Sequence, residues 1–244
     1  MKNGAGMVPF LFYLRLKLKP LRTTVFVICI LLVFTACHRS NNFLHSDGVK
    51  KHIILQPLNS FGSNNDTTLL HFLHQEILAF YNRDVIIAPP ATLPASFINT
   101  EKSRRYCADS ILRFLAAKKN DTTATIIGIT HEDIFTTVRD GSGNIKQPAY
   151  KYKVWGIFGL GYRPGVACVI SDHRLRTENE QVFHHRIRTV ALHEIGHNLG
   201  LPHCPTHGCI MSDANEKIAT VDNSGADYCA ACKKKLGYEQ EKHP

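Results

Sequence analysis

The stretch that decides the fold of this chain is His193-Glu194-Ile195-Gly196-His197-Asn198-Leu199-Gly200-Leu201-Pro202-His203. Because His193 and His197 are four residues apart, both imidazoles project from one face of a helix and can reach a single metal ion. Gly200 can adopt a positive φ and turn the chain back, which would bring His203 to the same ion. The pattern therefore predicts a zinc site with His193, His197 and His203 as ligands and the fourth position open.

Glu194 is the residue that makes this metal site a candidate catalyst. It follows the first ligand directly and is not itself a ligand in the pattern. Zinc lowers the pKa of a bound water towards ~7, and a carboxylate beside the ligand can take the proton of that water as it attacks a peptide carbonyl. The same carboxylate can then pass the proton to the leaving amine. We therefore expect a zinc metallopeptidase with Glu194 as general base.

The rest of the chain predicts an α/β or α+β domain around a mostly parallel, twisted sheet. Apolar segments predict strands at residues 53–55, 85–88, 124–130, 153–160 and 166–171. Helical spacing predicts covering helices at residues 67–81 and 103–119. Strands and helices thus alternate, as is typical of a parallel sheet. The strand at 153–160 contains glycine, which favours an edge position. Residues 155–160 could pair there with an extended peptide, or they could be ordinary sheet structure.

Residues 183–199 predict the long helix that carries the zinc signature. Ile187, Ala191, Ile195 and Leu199 form an i, i+4 ladder that should face the core, with the histidines on the other side. Beyond Pro202 the pattern is loop-like until a short helix near residues 229–236.

Four of the eight cysteines follow the zinc signature, at Cys204, Cys209, Cys229 and Cys232. The last two form a CxxC pair, and this spacing can close a tetrahedral structural zinc site that contributes to folding. Two disulfides are the alternative, and an oxidising compartment outside the cytoplasm would favour them. With the histidine site, a four-cysteine site would give two zinc ions per chain.

The N-terminal residues resemble a bacterial lipoprotein signal peptide. A cationic stretch ends at Arg22, and an apolar run over residues 25–36 stops at Cys37. That run has the length of a signal-peptide core and is short for a membrane span, which needs roughly 20 apolar residues. We expect a signal peptide over 1–36, a lipidated Cys37 with a linker over 37–50, and the enzyme domain over 51–244. An uncleaved signal anchor is the alternative, and both place the domain in the bacterial cell envelope, facing the periplasm or exterior.

The charge of the chain gives no reason to expect a nucleic-acid partner. Five cations lie in the segment that we expect to be removed, which reduces the formal charge from +9 to about +4. No basic run is interleaved with aromatic residues. The expected partners are therefore a peptide or unfolded protein substrate and, through Cys37, a membrane. Two competing interpretations are a non-catalytic zinc-binding lipoprotein scaffold and a lipoprotein that buffers metal ions. A scaffold would not need a carboxylate at Glu194, and a metal buffer would not need the strict spacing of the histidines and cysteines.

The spacing from the zinc signature to the CxxC pair resembles that of the archaemetzincins at every position: His203, Cys204, Cys209, Met211, Cys229 and Cys232. Weaker similarity extends upstream, so that the resemblance covers about residues 53–237. It implies a compact metzincin fold, with a twisted sheet over the active-site helix and a C-terminal subdomain stapled by zinc. It also implies that Met211 is the Met-turn residue beneath the catalytic zinc.

Two features of the chain depart from what the resemblance implies. Some metzincins carry a tyrosine two residues after the Met-turn methionine, where this chain has Asp213. No oxyanion-stabilising tyrosine can therefore be assigned there. Archaemetzincins are also typically intracellular, whereas we expect an export signal in this chain, and export would change the redox state of its cysteines.

Overall fold

A computed structural model describes residues 52–61, 66–118, 124–214 and 217–237. The segments expected to form the signal peptide (1–36) and the lipidated Cys37 with its linker (37–50) lie outside the described residues. Among the helices that are described, none combines the length and the apolar character that crossing a membrane requires.

The described residues form nine strands, six α-helices and one short 3₁₀-helix at Ala95–Phe97. The strands are β1 (His52–Pro57), β2 (Asp84–Ile87), β3 (Ile98–Asn99), β4 (Arg105–Cys107), β5 (Thr125–Thr130), β6 (Ile134–Thr136), β7 (Trp155–Ile157), β8 (Gly159–Gly161) and β9 (Ala167–Ser171). The helices are α1 (Thr67–Tyr81), α2 (Ala108–Lys118), α3 (Ala149–Tyr152), α4 (Glu180–Asn198), α5 (Ile218–Asp222) and α6 (Ala230–Lys235).

Five strands form the main sheet, in the order β2-β1-β5-β9-β8. The first four are parallel, and β8 runs antiparallel to β9 at the edge. The central strands β5 and β9 are buried along their whole length, as expected for parallel strands covered on both faces. The predicted mixed, mostly parallel sheet is therefore confirmed, including the edge position of the glycine strand.

Helices cover the main sheet on two faces, and each face has its own apolar core. On one face, α1 and α4 bury residues such as Leu73 and Ala191 against Ile127. On the other, α2 buries Leu112 and neighbouring residues against Ile126. Because successive side chains of a strand point to opposite faces, the apolar run of β5 supplies both cores. The helix that carries the zinc signature therefore lies directly on the sheet.

A second sheet of four strands, in the order β3-β4-β6-β7, was not predicted. The helix predicted over 103–119 is wrong at its start, because Arg105–Cys107 forms β4 and the helix begins at Ala108. Tyr106 pairs with Ile134, and the Arg105 Nε lies 2.8 Å from the Asp133 Oδ2. These contacts between distant segments override the local helical pattern. The strand predicted over 153–160 is likewise divided, with β7 in the second sheet and β8 in the main one.

The loop predicted after Pro202 contains a short helix, α5, which is a further correction. It packs beside α4, where the Arg186 Nε lies 2.6 Å from the Asp222 Oδ1. The His185 ring lies 3.1 Å from the carbonyl of Val221. Because these contacts come from α4, the local sequence of α5 carries little of the signal that forms it.

Candidate metal centres and catalytic cleft

The helix α4 places His193 and His197 on the face opposite its buried ladder. Its N-terminus is capped by Asn179, whose side chain accepts a hydrogen bond from the backbone N–H of Val182 at 3.1 Å. Ile187, Ala191 and Ile195 are buried against the sheet. The two histidines, one helical turn apart, therefore project together into the cleft on the other side.

Gly200 ends this helix in the conformation that the sequence predicts. Its φ is +97°, and the backbone N–H of Leu201 donates to the carbonyl of Gly196 at 3.0 Å. The reversal returns the chain to the cleft, so that nitrogen atoms of His193, His197 and His203 all lie within 4.8 Å of one another. The three predicted ligands are therefore brought together.

Hydrogen bonds orient two of these rings for metal binding. The His193 Nδ1 lies 2.8 Å from the carbonyl of Ile210, and the His197 Nδ1 lies 2.8 Å from the carbonyl of Leu201. With Nδ1 donating, Nε2 is left as the free lone pair that a metal needs. The His203 Nδ1 lies 3.4 Å from the Asp213 carboxylate. This donor set fits zinc, which binds three histidines and keeps an open position in catalytic sites.

Burial keeps the inner histidines in the neutral form that binds a metal. It lowers the pKa of His193 to about 3, and the neighbouring His197 acts in the same direction. Burial also lowers the pKa of His197. Protons therefore compete weakly for these two rings at neutral pH.

Glu194 lies beside the histidines and under the glycine strand β8. It is only 6% exposed, and within the described ranges no residue donates a hydrogen bond to its carboxylate. Burial raises the pKa of Glu194 to about 8. A Cβ at Gly159 would come within 2.7 Å of Glu194 Cγ and Oε1, and one at Gly161 within 2.7 Å of its backbone oxygen. Because these two glycines have no Cβ atoms, there is space for Glu194 beside β8.

Met211 and Tyr228 support the helix from below at Gly196. A Cβ at Gly196 would lie 2.5 Å from the Met211 Sδ and 2.7 Å from the Tyr228 hydroxyl oxygen. The hydroxyls of Tyr81 and Tyr228 lie 2.6 Å apart, and each is within 3.0 Å of the Leu192 carbonyl. Met211 is fully buried, so the described geometry agrees with its implied place beneath the metal site.

The four predicted cysteine ligands also come together, as free thiols. Their sulfur atoms all lie within 4.8 Å of one another, with Cys204 and Cys229 at 3.7 Å and Cys209 and Cys232 at 3.8 Å. A tetrahedron of sulfurs about 2.3 Å from a central zinc has edges of about 3.8 Å. The nearby backbone N–H of Cys232 lowers the pKa of Cys229 to about 6, which favours the thiolate that a metal needs. Burial instead raises the pKa of Cys209 and of Cys232, so a bound cation would be needed to hold those two as thiolates. The arrangement fits a structural zinc.

A cleft of about 810 Å³ runs past the histidines and Glu194. One wall is the strand β8 with its flanking residues, and another is formed by Ser212, Asp213 and residues of α5. The cleft extends to Lys146, Lys151, Tyr152 and Trp155, around α3 and β7. The sequence placed Trp155 in a strand that could pair with a peptide, but it did not indicate Lys146, Lys151 and Tyr152 or the contact of Gly159 with Glu194. The two glycines in β8 indicated that another group approaches this strand closely, but they did not indicate that this group is Glu194.

Comparisons with known proteins show the family to which the chain belongs. The family model of Peptidase family M54 matches residues 72–238. The archaemetzincin of Archaeoglobus fulgidus is 28% identical over 186 residues, which cover 76% of this chain and 99% of that protein. The archaemetzincin of Saccharolobus solfataricus is 30% identical over 159 residues, which cover 63% of this chain and 76% of that protein.

Solved structures give the same result for the fold. The crystal structure of the Archaeoglobus fulgidus archaemetzincin, complexed with malonate, has a TM-score of 0.60 at 27% identity and covers 75% of this chain and 99% of that chain. The archaemetzincin of Methanopyrus kandleri has a TM-score of 0.63 at 22% identity and covers 79% of this chain and 97% of that chain.

Proposed function

Since this chain belongs to peptidase family M54 and is a zinc metallopeptidase of the archaemetzincin kind, we propose that it cleaves peptide bonds with Glu194 as general base. His193, His197 and His203 hold the catalytic zinc in this proposal. When bound there, zinc would supply Lewis acidity towards water and a peptide carbonyl. The observation that carries the proposal is the buried carboxylate of Glu194 beside three converging imidazoles.

Glu194 is suited to move a proton in both directions. Burial raises the pKa of Glu194 to about 8, because a carboxylate in a dry site favours its neutral form. A zinc ion bound at the adjacent histidines would favour the ionised carboxylate, which is the form that accepts a proton from water. After accepting a proton from water, Glu194 can return it to the leaving amine. The narrow clearance against Gly159 restricts the positions that its carboxyl group can take during both transfers.

The substrate in this proposal is a peptide or an unfolded protein that lies in the cleft as an extended chain. The edge strand β8 lines the cleft, and among the described strands it pairs with β9 alone. Its outer edge can therefore pair with a substrate backbone. A cleft of about 810 Å³ accommodates several residues of an extended peptide better than a folded surface.

We also include a second zinc in the proposal, bound by Cys204, Cys209, Cys229 and Cys232. Its role would be structural, since four thiolates leave no coordination position for a substrate. The support is the near-tetrahedral spacing of the four sulfurs.

The decisive experiment compares Glu194→Ala with His197→Ala on a peptide library. Glu194→Ala should keep its zinc and its fold but lose hydrolysis by roughly 10² to 10⁴-fold, because only proton transfer is removed. His197→Ala should lose zinc from the histidine site as well as activity. Glu180→Ala, on the same helix with an exposed side chain, is the matched control and should behave as wild type. If wild type cleaves nothing that Glu194→Ala leaves intact, the chain is a non-catalytic zinc scaffold.

The proposal places the enzyme at the bacterial cell envelope, anchored to the membrane by lipid on Cys37 and facing the periplasm or exterior. The support is the cationic stretch followed by an apolar run that ends at Cys37. Cys37→Ser should abolish lipid labelling and release the protein from membranes while zinc content is unchanged. Membrane retention after this substitution would favour an uncleaved signal anchor.

A further inference from the structure

A cluster of two lysines and two aromatic rings lies in the cleft away from the zinc ligands. The rings of Tyr152 and Trp155 are stacked, with centroids 4.8 Å apart. The Lys146 Nζ lies 4.9 Å from the Tyr152 centroid. The Lys151 Nζ lies 5.3 Å from Tyr152 and 5.2 Å from Trp155. All four residues line the same cleft as His193 and Glu194, and we call them the lysine–aromatic cluster.

Backbone contacts hold the cluster in place from two sides. The Lys102 Nζ donates to the carbonyls of Lys151 at 3.0 Å and Val154 at 3.3 Å. The backbone N–H of Val138 donates to the carbonyl of Tyr152 at 3.0 Å. The rings are therefore presented to the cleft by a supported segment, although α3 is only one turn long.

The two ammonium groups are attracted to the rings but are not neutralised by them. A ring face stabilises a cation without using its three N–H donors as a carboxylate would. Across residues 52–61, 66–118, 124–214 and 217–237, no carboxylate lies within 4.0 Å of Lys146 or Lys151. The neighbouring Lys153, by contrast, lies 2.9 Å from Glu101. Two unpaired positive charges against an apolar wall thus give this part of the cleft a positive potential.

The chain itself limits the distance from the cluster to Glu194. Trp155 precedes Gly159 by four residues, and Gly159 lies against the Glu194 side chain. Four residues of extended chain span at most about 14 Å. An extended substrate that pairs along this wall would therefore reach the cluster within about four residues of its scissile bond.

From this arrangement we infer that the lysine–aromatic cluster is a carboxylate subsite, and that the enzyme selects peptides with an acidic group within about four residues of the cleaved bond. The inference rests on the proposed peptidase function. The acidic group is either an Asp or Glu side chain or the free C-terminal carboxylate of a short peptide. Both present the same planar anion to Lys146 and Lys151, with apolar stem atoms that can contact Trp155.

The kinetic test uses the zinc-loaded full chain and paired peptides. Within each pair, Glu replaces Gln at one position up to four residues from the cleaved bond, and each peptide is made with a free or an amidated C-terminus. Wild type should favour one class of carboxylate by roughly two- to fivefold in kcat/KM for each lysine engaged, and salt should reduce the ratio. If kcat/KM depends on whether Glu or Gln stands at one position, the ligand is a side-chain carboxylate. If kcat/KM depends on whether the C-terminus is free or amidated, the ligand is the C-terminal carboxylate.

Substitutions then connect the preference to the cluster. Lys146→Met and Lys151→Met keep the aliphatic stem but remove the charge, and together they should abolish the preference. Lys118→Met is the matched control, because its Nζ lies 5.5 Å from the Phe114 centroid on α2, outside the cleft. That variant should keep the wild-type ratio.

A binding measurement separates this inference from catalysis. Trp155 is the only tryptophan of the chain, so its fluorescence reports directly on the cluster. In zinc-loaded Glu194→Ala, titration with the preferred acidic peptide should change this fluorescence, and the Gln or amidated partner should bind two- to fivefold more weakly for each lysine engaged.

The outcomes distinguish this inference from the proposed function. Equal cleavage of all paired peptides, with ratios unchanged in the lysine variants, would overturn the carboxylate subsite and leave the peptidase standing. Lysine-dependent binding to vesicles containing phosphatidylserine, without any effect on peptide preference, would overturn it in favour of a membrane contact. Absence of any cleavage by wild type together with acid-selective binding to Trp155 would refute the peptidase and retain the subsite.

Discussion

The side chain of Glu194 lies directly against the backbone of Gly159, so closely that a Cβ at position 159 would come within 2.7 Å of Glu194 Cγ and Oε1. A wall strand of the cleft therefore constrains the proposed general base. This close approach needs a glycine because any other residue would place a Cβ there. The backbone conformation does not require one, since the φ of Gly159 is not in the left-handed region.

Gly159→Ala should impair catalysis without removing zinc. The new methyl group would push the Glu194 carboxyl group aside, and a displacement of about 1 Å can reduce the rate by up to about 10²-fold. We expect kcat/KM to fall by ten- to a hundredfold while zinc content stays at the wild-type value. Gly141→Ala, where a Cβ would meet nothing within 4 Å, is the control. Full activity in Gly159→Ala would show that Glu194 tolerates displacement.

Metal analysis of the purified chain should give two zinc ions. The ligand sets His193/His197/His203 and Cys204/Cys209/Cys229/Cys232 share no residue. Cys232→Ser should reduce the content to one zinc or less and lower the melting temperature, because structural zinc contributes to folding. Cys107→Ser is the control, because Cys107 lies outside both ligand sets, and this variant should retain two zinc ions. One zinc in wild type, with the four cysteines unreactive to thiol reagents after unfolding, would indicate disulfides instead.

The free energy of unfolding should depend on pH through His131. Its ring nitrogens lie 2.9 Å from Asp172 and 3.0 Å from Asp66, and the hydrogen bond with Asp172 is the main cause that raises the pKa of His131 above 6.5. Arg176 also bonds to Asp172, at 2.9 Å. Below about pH 6.5 His131 is protonated in both the folded and the unfolded chain, so its stabilisation is fully present. It is lost as the pH rises through the higher folded pKa.

His131→Gln isolates this contribution, because glutamine retains polar atoms but does not titrate. The difference in unfolding free energy between wild type and variant, measured by denaturant titration, should be largest below about pH 6.5 and shrink at higher pH. A difference that is constant over this range would mean that the two carboxylates do not stabilise the protonated ring.

The parts of the molecule that the sequence predicted correctly are those with strong local signals. The helix α1 matches residues 67–81 at both ends, because its apolar spacing is regular and Asn82 ends it with φ +48°. The convergence of the three histidines follows from spacing along one helix and one glycine turn, which are features of residues close in sequence. The cysteines were predicted from their spacing pattern, although Cys204 meets Cys229 and Cys209 meets Cys232 across a longer stretch of chain.

The parts that were missed depend on contacts between distant segments. Arg105–Cys107 is a strand only because β6 and Asp133 lie beside it. The helix α5 is fixed by Arg186 and His185 of α4. Likewise, the lysine–aromatic cluster lies in the cleft around β7, which belongs to the second sheet. The periodicity within 153–160 does not reveal that β7 and β8 belong to different sheets.

The two proposed metal sites are joined through three consecutive residues. Cys209 belongs to one ligand set, the Ile210 carbonyl lies 2.8 Å from the His193 Nδ1, and Met211 lies beneath Gly196. The backbone N–H of Cys204, next to His203, donates to the carbonyl of Met211 at 2.8 Å. Occupancy of either site should therefore be thermodynamically linked to that of the other. If zinc at the cysteines raises the zinc affinity of the histidine site by some factor, zinc at the histidines must raise the affinity of the cysteine site by the same factor. A chelator would then remove the two ions with positive cooperativity.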